Sequence, residues 1–492
     1  MLNLDSLIPD CYAQYRPLVA DALRLFLEQL SPPRRAALLR TQAAMPQGTP
    51  DEARAFAVMR ACPMLHKLGQ ILARHRALDP AFRVELRRLE SLPPSATLAE
   101  IRPVIERELG NDAGAYTMGE EPLAEGSIAL IVPFVHTTGS VGRDISGVFK
   151  VLRPGVGDAV REELEMIGPI GDLLESRAAA LGLPALPYRE TLEQIRVMLQ
   201  REVDLSLEQA NLSRAAAFYA NDPGIRIPQL LPGGTRQLTA MERLSLRKVT
   251  DAASLSVAER RRLAQTLVRA LLARPFFSDT DDALFHGDPH AGNLLLDDTG
   301  RLVILDWSLA GKLDRADRRA IVAVSLGALT LDLKTAHGGV AVLLQHPYDA
   351  AALDAVLRDA MSGIPWTKLP DLGWLIGLLD TLALNGFAFR PDLTVFRKSL
   401  FTLRGVLQDL SETASLNEPI ALAGASQFAR EYASRMLFFY TRRSFGTHLT
   451  NGDLALLGLR WPLTATRYWF GGLRELARRG RRAFKDFGGS DN

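Results

Sequence analysis

HGDPHAGNLLLDDTGRLVILDWS, residues 286–308, carries more chemistry per position than any other part of this chain. Asp288 and Asn293 stand five positions apart, and Asp306 follows thirteen beyond Asn293. Between them an apolar run at 294–296 gives way to Asp298-Thr299-Gly300 and then to a second apolar run at 302–305. That order predicts strand, turn and strand. A phosphoryl-transfer site needs a carboxylate near the accepting hydroxyl or water. It also needs an amide oxygen and a second carboxylate to hold magnesium against the nucleotide phosphates. D-x-x-x-x-N followed by a hairpin and an aspartate supplies that set, and the hairpin is expected to return Asp306 toward the loop bearing Asp288 and Asn293. Hard oxygen donors of this kind suit magnesium. Two other readings stay open on these residues alone. His286, Asp288 and His290 are also a zinc-type donor set, although that leaves Asn293 and Asp306 unused. A structural loop, with Asp288-Pro289 as an ordinary turn element, is the other.

Working outward, the chain changes texture three times. Residues 1–118 read as helical, with apolar residues at helical spacing in VADALRLFLEQL and PAFRVELRRLESLPPS. Strand-like runs SIALIVPFV and GVFKVL follow between 127 and 151. A helical stretch covers 158–220, broken near LGLPALPY, and IRIPQLL with RQLTAMERL is expected to form a strand pair about the turn PGGT. A helix is expected over 254–273, and the chain beyond about 315 reads as mostly helical. This order of helices, a small mixed lobe and a large helical lobe predicts an α+β protein with segregated layers, not an alternating parallel sheet. The expected divisions are 1–118, 119–244 and 245–492. At 492 residues the chain exceeds what one hydrophobic core usually supports.

Composition narrows the function. Hydrophobic residues make up 47% and charged residues 23%, as in ordinary folded proteins, and the net charge of +2 is too small to argue for nucleic acid. Cys11 and Cys62 are the two cysteines, which excludes a disulfide framework or a four-cysteine zinc site and suits a reducing, cytoplasmic setting. No leader with a basic start and an apolar core is visible at the N-terminus, and no run reaches the 18 or so apolar residues that span a bilayer; 372–389 comes nearest, interrupted by Asp380. In the tail, RYWFGGLRELARRGRRAFKDF (467–487) mixes aromatics with arginines. It reads either as a solvated helix or as a segment making peripheral contact with an anionic membrane surface.

The segment FHGDPHAGNLLLDDTGRLVILDWSLAGKL resembles the catalytic and metal-binding loops of the UbiB/AarF/ADCK family of atypical kinases. Three further segments resemble that family in the order it requires: KLGQILARHRALDPAFRVELRRLESLPPS, its KxGQ helix; GVFKVLRPGV, its nucleotide-lobe strand; and REVDLSLEQAN, its ExD motif with the following helix. The resemblance covers roughly residues 60–315. It implies a protein-kinase-like bilobal fold with a helical N-terminal extension, and ATP and Mg2+ as cofactors. It also implies kinase or ATPase activity toward a small-molecule or lipid-like acceptor, in metabolism related to ubiquinone. By the same resemblance Lys150 contacts phosphates, Glu208 orients it, Asp288 is the catalytic acid, and Asn293 and Asp306 bind the metal. Met241 and Glu242 fall where the hinge offers backbone groups to adenine. Lys67, Gly69 and Gln70 match KxGQ, and Glu202 and Asp204 match ExD, a set that implies regulation by the extension.

The sequence departs from that pattern in three respects, one being that members associated with quinone biosynthesis often end in membrane-spanning helices and none is visible here. The nucleotide loop reads PLAEGSIA, so Ala124 and Ser127 fit while Glu125 and Gly126 interrupt an alanine-rich run. Gly126 permits close approach of a phosphate, whereas Glu125 adds a negative charge that is unwelcome there unless it points outward. The metal motif is Asp306-Trp307-Ser308, which lacks the glycine of DFG. Two alternatives remain on the sequence: a nucleotide-gated lipid- or partner-binding module with little phosphotransfer, and a free-standing small-molecule kinase of the aminoglycoside phosphotransferase sort.

Overall fold

The computed structural model describes residues 8–470, apart from 75–78, 91–95, 127, 138–143, 185, 187, 252–254, 366, 411–415, 438–444, 463 and 467–468. The tail at 471–487, and with it the membrane-surface expectation, lies outside the described residues. The chain forms two compact units, and neither is continuous in sequence. The first is Met1–Ala220, Ile227–Ser245 and Leu305–Leu309; the second is Asn221–Arg226, Leu246–Ile304 and Ala310–Asn492.

In the first unit, helices α1 (Arg16–Gln29), α2 (Pro32–Ala44), α3 (Asp51–Ala61), α4 (Pro63–Arg74), α5 (Pro80–Arg87) and α6 (Leu98–Leu109) precede a five-stranded sheet. Proline opens α2, α4 and α5, where its missing N–H costs nothing. The strands are β1 (Tyr116–Met118), β2 (Ala124–Glu125), β3 (Ala129–His136), β4 (Ile145–Leu152) and β6 (Leu238–Glu242), in the order β1–β3–β4–β6, with β2 also beside β3. Every pairing is antiparallel, and β3 with β4 runs from Ala129↔Leu152 to His136↔Ile145. One side of the sheet buries Leu130, Val132, Phe134, Phe149 and Val151 against Ile101, Val104 and Ile105 of α6. After β4 come α7 (Val156–Glu165), α8 (Ile167–Ala180), α9 (Tyr188–Glu202) and α10 (Leu205–Tyr219). Val160, Ile167, Ile195 and Leu199 of these helices share a core with Phe26, Val58 and Met64 of the N-terminal ones.

In the second unit, β5 (Ile225–Arg226), β7 (Leu246–Lys248), β9 (Leu294–Asp297) and β10 (Leu302–Ile304) form a sheet ordered β5–β10–β9–β7. The expected hairpin across 298–300 is therefore present, as β9 and β10. A two-stranded sheet pairs β8 (Asp282–His286) with β11 (Ala310–Asp314). Gly311 of β11 lies under the ring of Phe285, where a Cβ would meet ring carbon at 2.2 Å, so no other residue fits there without moving the ring. Helix α11 (Val257–Val268) opens with a capping box of Ser256 and Glu259. Helices α12 (Arg315–Thr330), α13 (Leu333–Leu343), α14 (Ala350–Ser362), α15 (Leu372–Leu384), α16 (Pro391–Leu410) and α17 (Asn417–Leu437) complete the unit. Among the described residues no helix is long and apolar enough to cross a membrane.

The α+β class expected from the sequence is the one observed. The expected pairing of IRIPQLL with RQLTAMERL about PGGT is present over its second half: Leu230 bridges Met241 antiparallel, the Leu231 N–H donates to Ala240 O at 2.8 Å and the Glu242 N–H to Gln229 O at 2.9 Å. Two partners were not expected: the start of the segment, β5, runs parallel to β10 with Ile225 opposite Leu302, and β6 also pairs with β4. Polar turn residues between apolar runs predict that the chain reverses, but they do not name every partner.

Two buried histidines make the fold sensitive to acid. His66 meets the Leu89 carbonyl through Nε2 at 3.0 Å, and His448 meets that of Phe276 at 2.7 Å, while both Nδ1 atoms are buried without a partner. Burial pulls each imidazole down to about 4, against the small opposing pull of its carbonyl partner. An unfolded histidine titrates near ~6.5, so between roughly pH 6.5 and 4 the unfolded chain holds more protons than the folded one. Stability is therefore expected to fall as pH drops through that window, by about 3 kcal/mol per histidine at most. Thermal melts from pH 7.5 to 4.5 measure it. H66Q, which can still donate to Leu89, is expected to flatten the slope, and an unchanged slope would assign the acid sensitivity to other groups.

Candidate active site

Lys150 occupies β4 opposite Ile131 on one side and Thr239 on the other. Its ammonium lies 2.8 Å from Glu208 Oε1 and 2.7 Å from Oε2, and 3.4 Å from Asp306 Oδ1. One cation thus sits between two carboxylates. Burial works against the charged amine, yet Asp306 and Glu208 outweigh it and hold Lys150 above its ordinary range. Burial also pushes the Glu208 carboxyl up, against the pull of Lys150. At Asp306 burial is overcome by Lys150 and by hydrogen bonding from Ser308, so that carboxyl stays below the usual aspartate range.

Helix α10 fixes this geometry. Its buried positions are Leu205, Glu208, Leu212, Ala215 and Tyr219, a helical stripe in which Glu208 takes an apolar slot. Next to it, Gln209 Nε2 reaches Thr235 O at 2.8 Å, Leu238 O at 3.0 Å and Thr239 Oγ1 at 2.9 Å, which ties the helix to the strand beside Lys150. One turn on, Asn211 Nδ2 donates to Trp307 O at 3.1 Å. Trp307 is fully buried, with Tyr219 6.2 Å from its ring. The left-handed backbone of the Asp306-Trp307-Ser308 turn falls at Asp306, φ 53°, and not at Ser308. Aspartate tolerates that conformation, so a glycine two residues on is not what this turn requires.

In the PLAEGSIA segment the Glu125 side chain is buried and does not point outward; it pairs with Arg153 at 3.3 Å and Arg60 at 3.9 Å. A negative charge in the loop is thereby neutralised within the unit. Ala124 is exposed in β2, and Gly126 closes the turn with its N–H on Ala129 O at 2.8 Å. Ser127 lies outside the described residues. Met241 and Glu242 end β6 opposite Val148 and Gly147. The Glu242 N–H already donates to Gln229 O at 2.9 Å, and its carboxylate accepts the Gln229 N–H at 3.0 Å, so that amide is engaged by the chain itself.

Of the KxGQ and ExD residues, Lys67 of α4 and Glu202 at the end of α9 are joined as a partly buried ion pair. Asp204 is placed differently: it caps α10 by accepting the Ser206 N–H at 3.1 Å and meets Arg236 at 2.9 Å. Gly69 is packed so closely that a Cβ would meet Leu89 Cδ1 at 2.4 Å. Gln70 is half-buried one position on.

Asp288 and Asn293 belong to the second unit, in the loop between β8 and β9. The Asp288 N–H donates to His286 Nδ1 at 3.2 Å, and the His290 N–H donates to Asp288 O at 2.8 Å. The Asn293 N–H donates to His290 O at 2.9 Å, and its Nδ2 donates to Asp288 O at 3.2 Å. Both residues are buried. Directing Nδ2 inward leaves the amide oxygen of Asn293, a hard donor, as the atom available to a cation. The Nδ1 atoms of His286 and His290 instead accept backbone N–H groups, the latter from Gly292 at 3.0 Å. Among the described residues no group of three or more His, Cys, Asp or Glu is arranged to hold a metal. Leu294, directly after Asn293, pairs with Ile304, two residues before Asp306. Sequence reasoning missed Gln209, Asn211 and the arginines on Glu125. The resemblance of REVDLSLEQAN to the ExD motif and its following helix was the signal that pointed to α10.

Residues 88–338, about half of the chain, match the ABC1 atypical kinase-like domain. An uncharacterized protein of Mycobacterium tuberculosis is 29% identical over 57% of this chain and 57% of its own length. Proteins named probable protein kinase UbiB are similar too. That of Cellvibrio japonicus is 27% identical over 73% of this chain and 67% of its own, and that of Marinobacter nauticus 26% over 71% and 64%. The chain thus spans between 57% and 67% of the length of these curated relatives. With its kinase-like α+β fold and its four motifs in order, this chain belongs to the ABC1 family of atypical kinase-like proteins, the family of UbiB.

Proposed function

We propose that this chain binds Mg-ATP and acts as a phosphotransferase or ATPase. The observation that supports it best is Lys150, held charged between Glu208 and Asp306. A lysine fixed by one buried acid presents its remaining N–H bonds in a set direction, as contact with α- and β-phosphates requires. Asp306 and the amide oxygen of Asn293 are the proposed magnesium ligands; both are hard oxygen donors. When bound, the ion neutralises charge on the phosphates. Asp288 is the proposed acid of the loop, accepting the proton of the attacking hydroxyl or water. Ala124, Gly126 and Ser127 are proposed to border the phosphates, and Met241 and Glu242 the adenine. Lys67, Gln70, Glu202 and Asp204 are proposed to regulate the site from the N-terminal helices, with the Lys67–Glu202 pair as the support for that role.

The acceptor is proposed to be a small or lipid-like molecule in isoprenoid-quinone metabolism, on the strength of the resemblance to UbiB proteins. The proposed setting is cytoplasmic, with peripheral membrane contact.

Two variants test this reading. D306N is expected to abolish magnesium-dependent ATP binding, measured by calorimetry with and without the metal; undiminished binding would reject Asp306 as a ligand. E208Q separates site from scaffold. Burial already favours the neutral form of Glu208, so glutamine should leave the melting temperature within a few degrees. Without its anchor, Lys150 should hold Mg-ATP about tenfold less tightly. Equal affinity in E208Q would show that the pair does not serve the nucleotide.

A further inference from the structure

Helix α16 lies beyond the part of the chain that matches the family, and it carries none of the sequence motifs. Three of its residues nonetheless converge on the segment that bears Asp288. Phe396 packs edge-on against Phe285 of β8, with ring centroids 5.2 Å apart. Ser399, itself buried, donates its hydroxyl to the carbonyl of His286 at 2.7 Å. Between them, Lys398 brings Nζ to 3.6 Å from Asp288 Oδ2. The aromatic pair and the buried hydroxyl fix the helix against residues 285–286, so the position of Lys398 does not depend on its own weak contact. The neighbouring cation, Arg397, is directed elsewhere, to Asp380 at 3.5 Å.

The other contacts at Asp288 described above hold its backbone: its N–H is on His286 and its carbonyl accepts from His290 and Asn293. A carboxylate with little exposure is unfavourable unless a cation or donors accompany it, and the ammonium of Lys398 stands 3.6 Å from one of its two oxygens.

Resting on the role proposed above for Asp288, we propose that Lys398 is a positioning residue that holds the Asp288 carboxylate in the orientation phosphoryl transfer needs. It acts through Asp288 and not on the nucleotide. Its loss is therefore expected to change the rate of the chemical step and not the affinity for Mg-ATP.

The test is single-turnover phosphate release from Mg-ATP by the full chain, with affinity measured alongside by calorimetry. K398M is expected to slow release about ten- to hundredfold, the scale of a misplaced catalytic group, with affinity within about twofold of wild type. K398R should regain most of the rate. The double variant D288N/K398M should be no slower than D288N, because two residues acting through one carboxylate do not multiply. Wild-type release by K398M, or by K398Q should the methionine variant not fold, overturns the inference. A double variant slowed by the product of the two single effects overturns it as well. Undiminished release by D288N is a different result: it removes the role of Asp288 itself, whatever Lys398 does.

Discussion

A single ammonium group shared by two carboxylates organises the first unit. Lys150 cannot be buried in the sheet without compensation, and Glu208 cannot occupy an apolar slot of α10 without a cation. Each makes the other tolerable. Asp306 adds a second negative charge, so the cluster of Lys150, Glu208 and Asp306 carries a net charge of about −1 if all three are ionised. A cluster left slightly negative is a reasonable host for a divalent ion and its anionic ligand, whereas a fully balanced one would have less to offer either.

The same helix holds the other half of the arrangement. Glu208, Asn211 and Tyr219 address the lysine, the Trp307 carbonyl and the Trp307 ring. With Gln209 on the adjacent strand, α10 becomes the element against which both Lys150 and the Asp306–Trp307 turn are referenced. Displacement of this helix would move both together. The N-terminal helices enter by another route, since Lys67 of α4 meets Glu202 just before α10 begins.

Much of this was legible in residue order, for physical reasons that can be named. The β9–β10 hairpin follows from two apolar runs around Asp-Thr-Gly, and the helices from their periodicity. The pairing of Lys150 with Glu208 followed from resemblance and not from spacing, since 58 residues separate them. What could not be read were the partners. Nothing local tells β5 to join β10, because strand pairing depends on distant chain. The β8–β11 pair was hidden for the same reason: DALFH and AGKLD are short and acquire strand geometry from each other. The placement of Glu125 could not be read locally, because Arg153 and Arg60, which pair with it, lie 28 and 65 positions away.

The path of the backbone has a consequence for anyone who would divide this protein. Only five residues, Leu305–Leu309, return to the first unit after the long excursion that begins at Leu246. A fragment ending at residue 245 would retain the sheet, Lys150 and α10, yet would lose Asp306 and the tryptophan that fills the space beside Tyr219. The remaining piece would keep Asp288 and Asn293 but expose an indole shaped to be enclosed elsewhere. Neither half is a closed module, and the inheritance of this architecture is expected to be all or nothing.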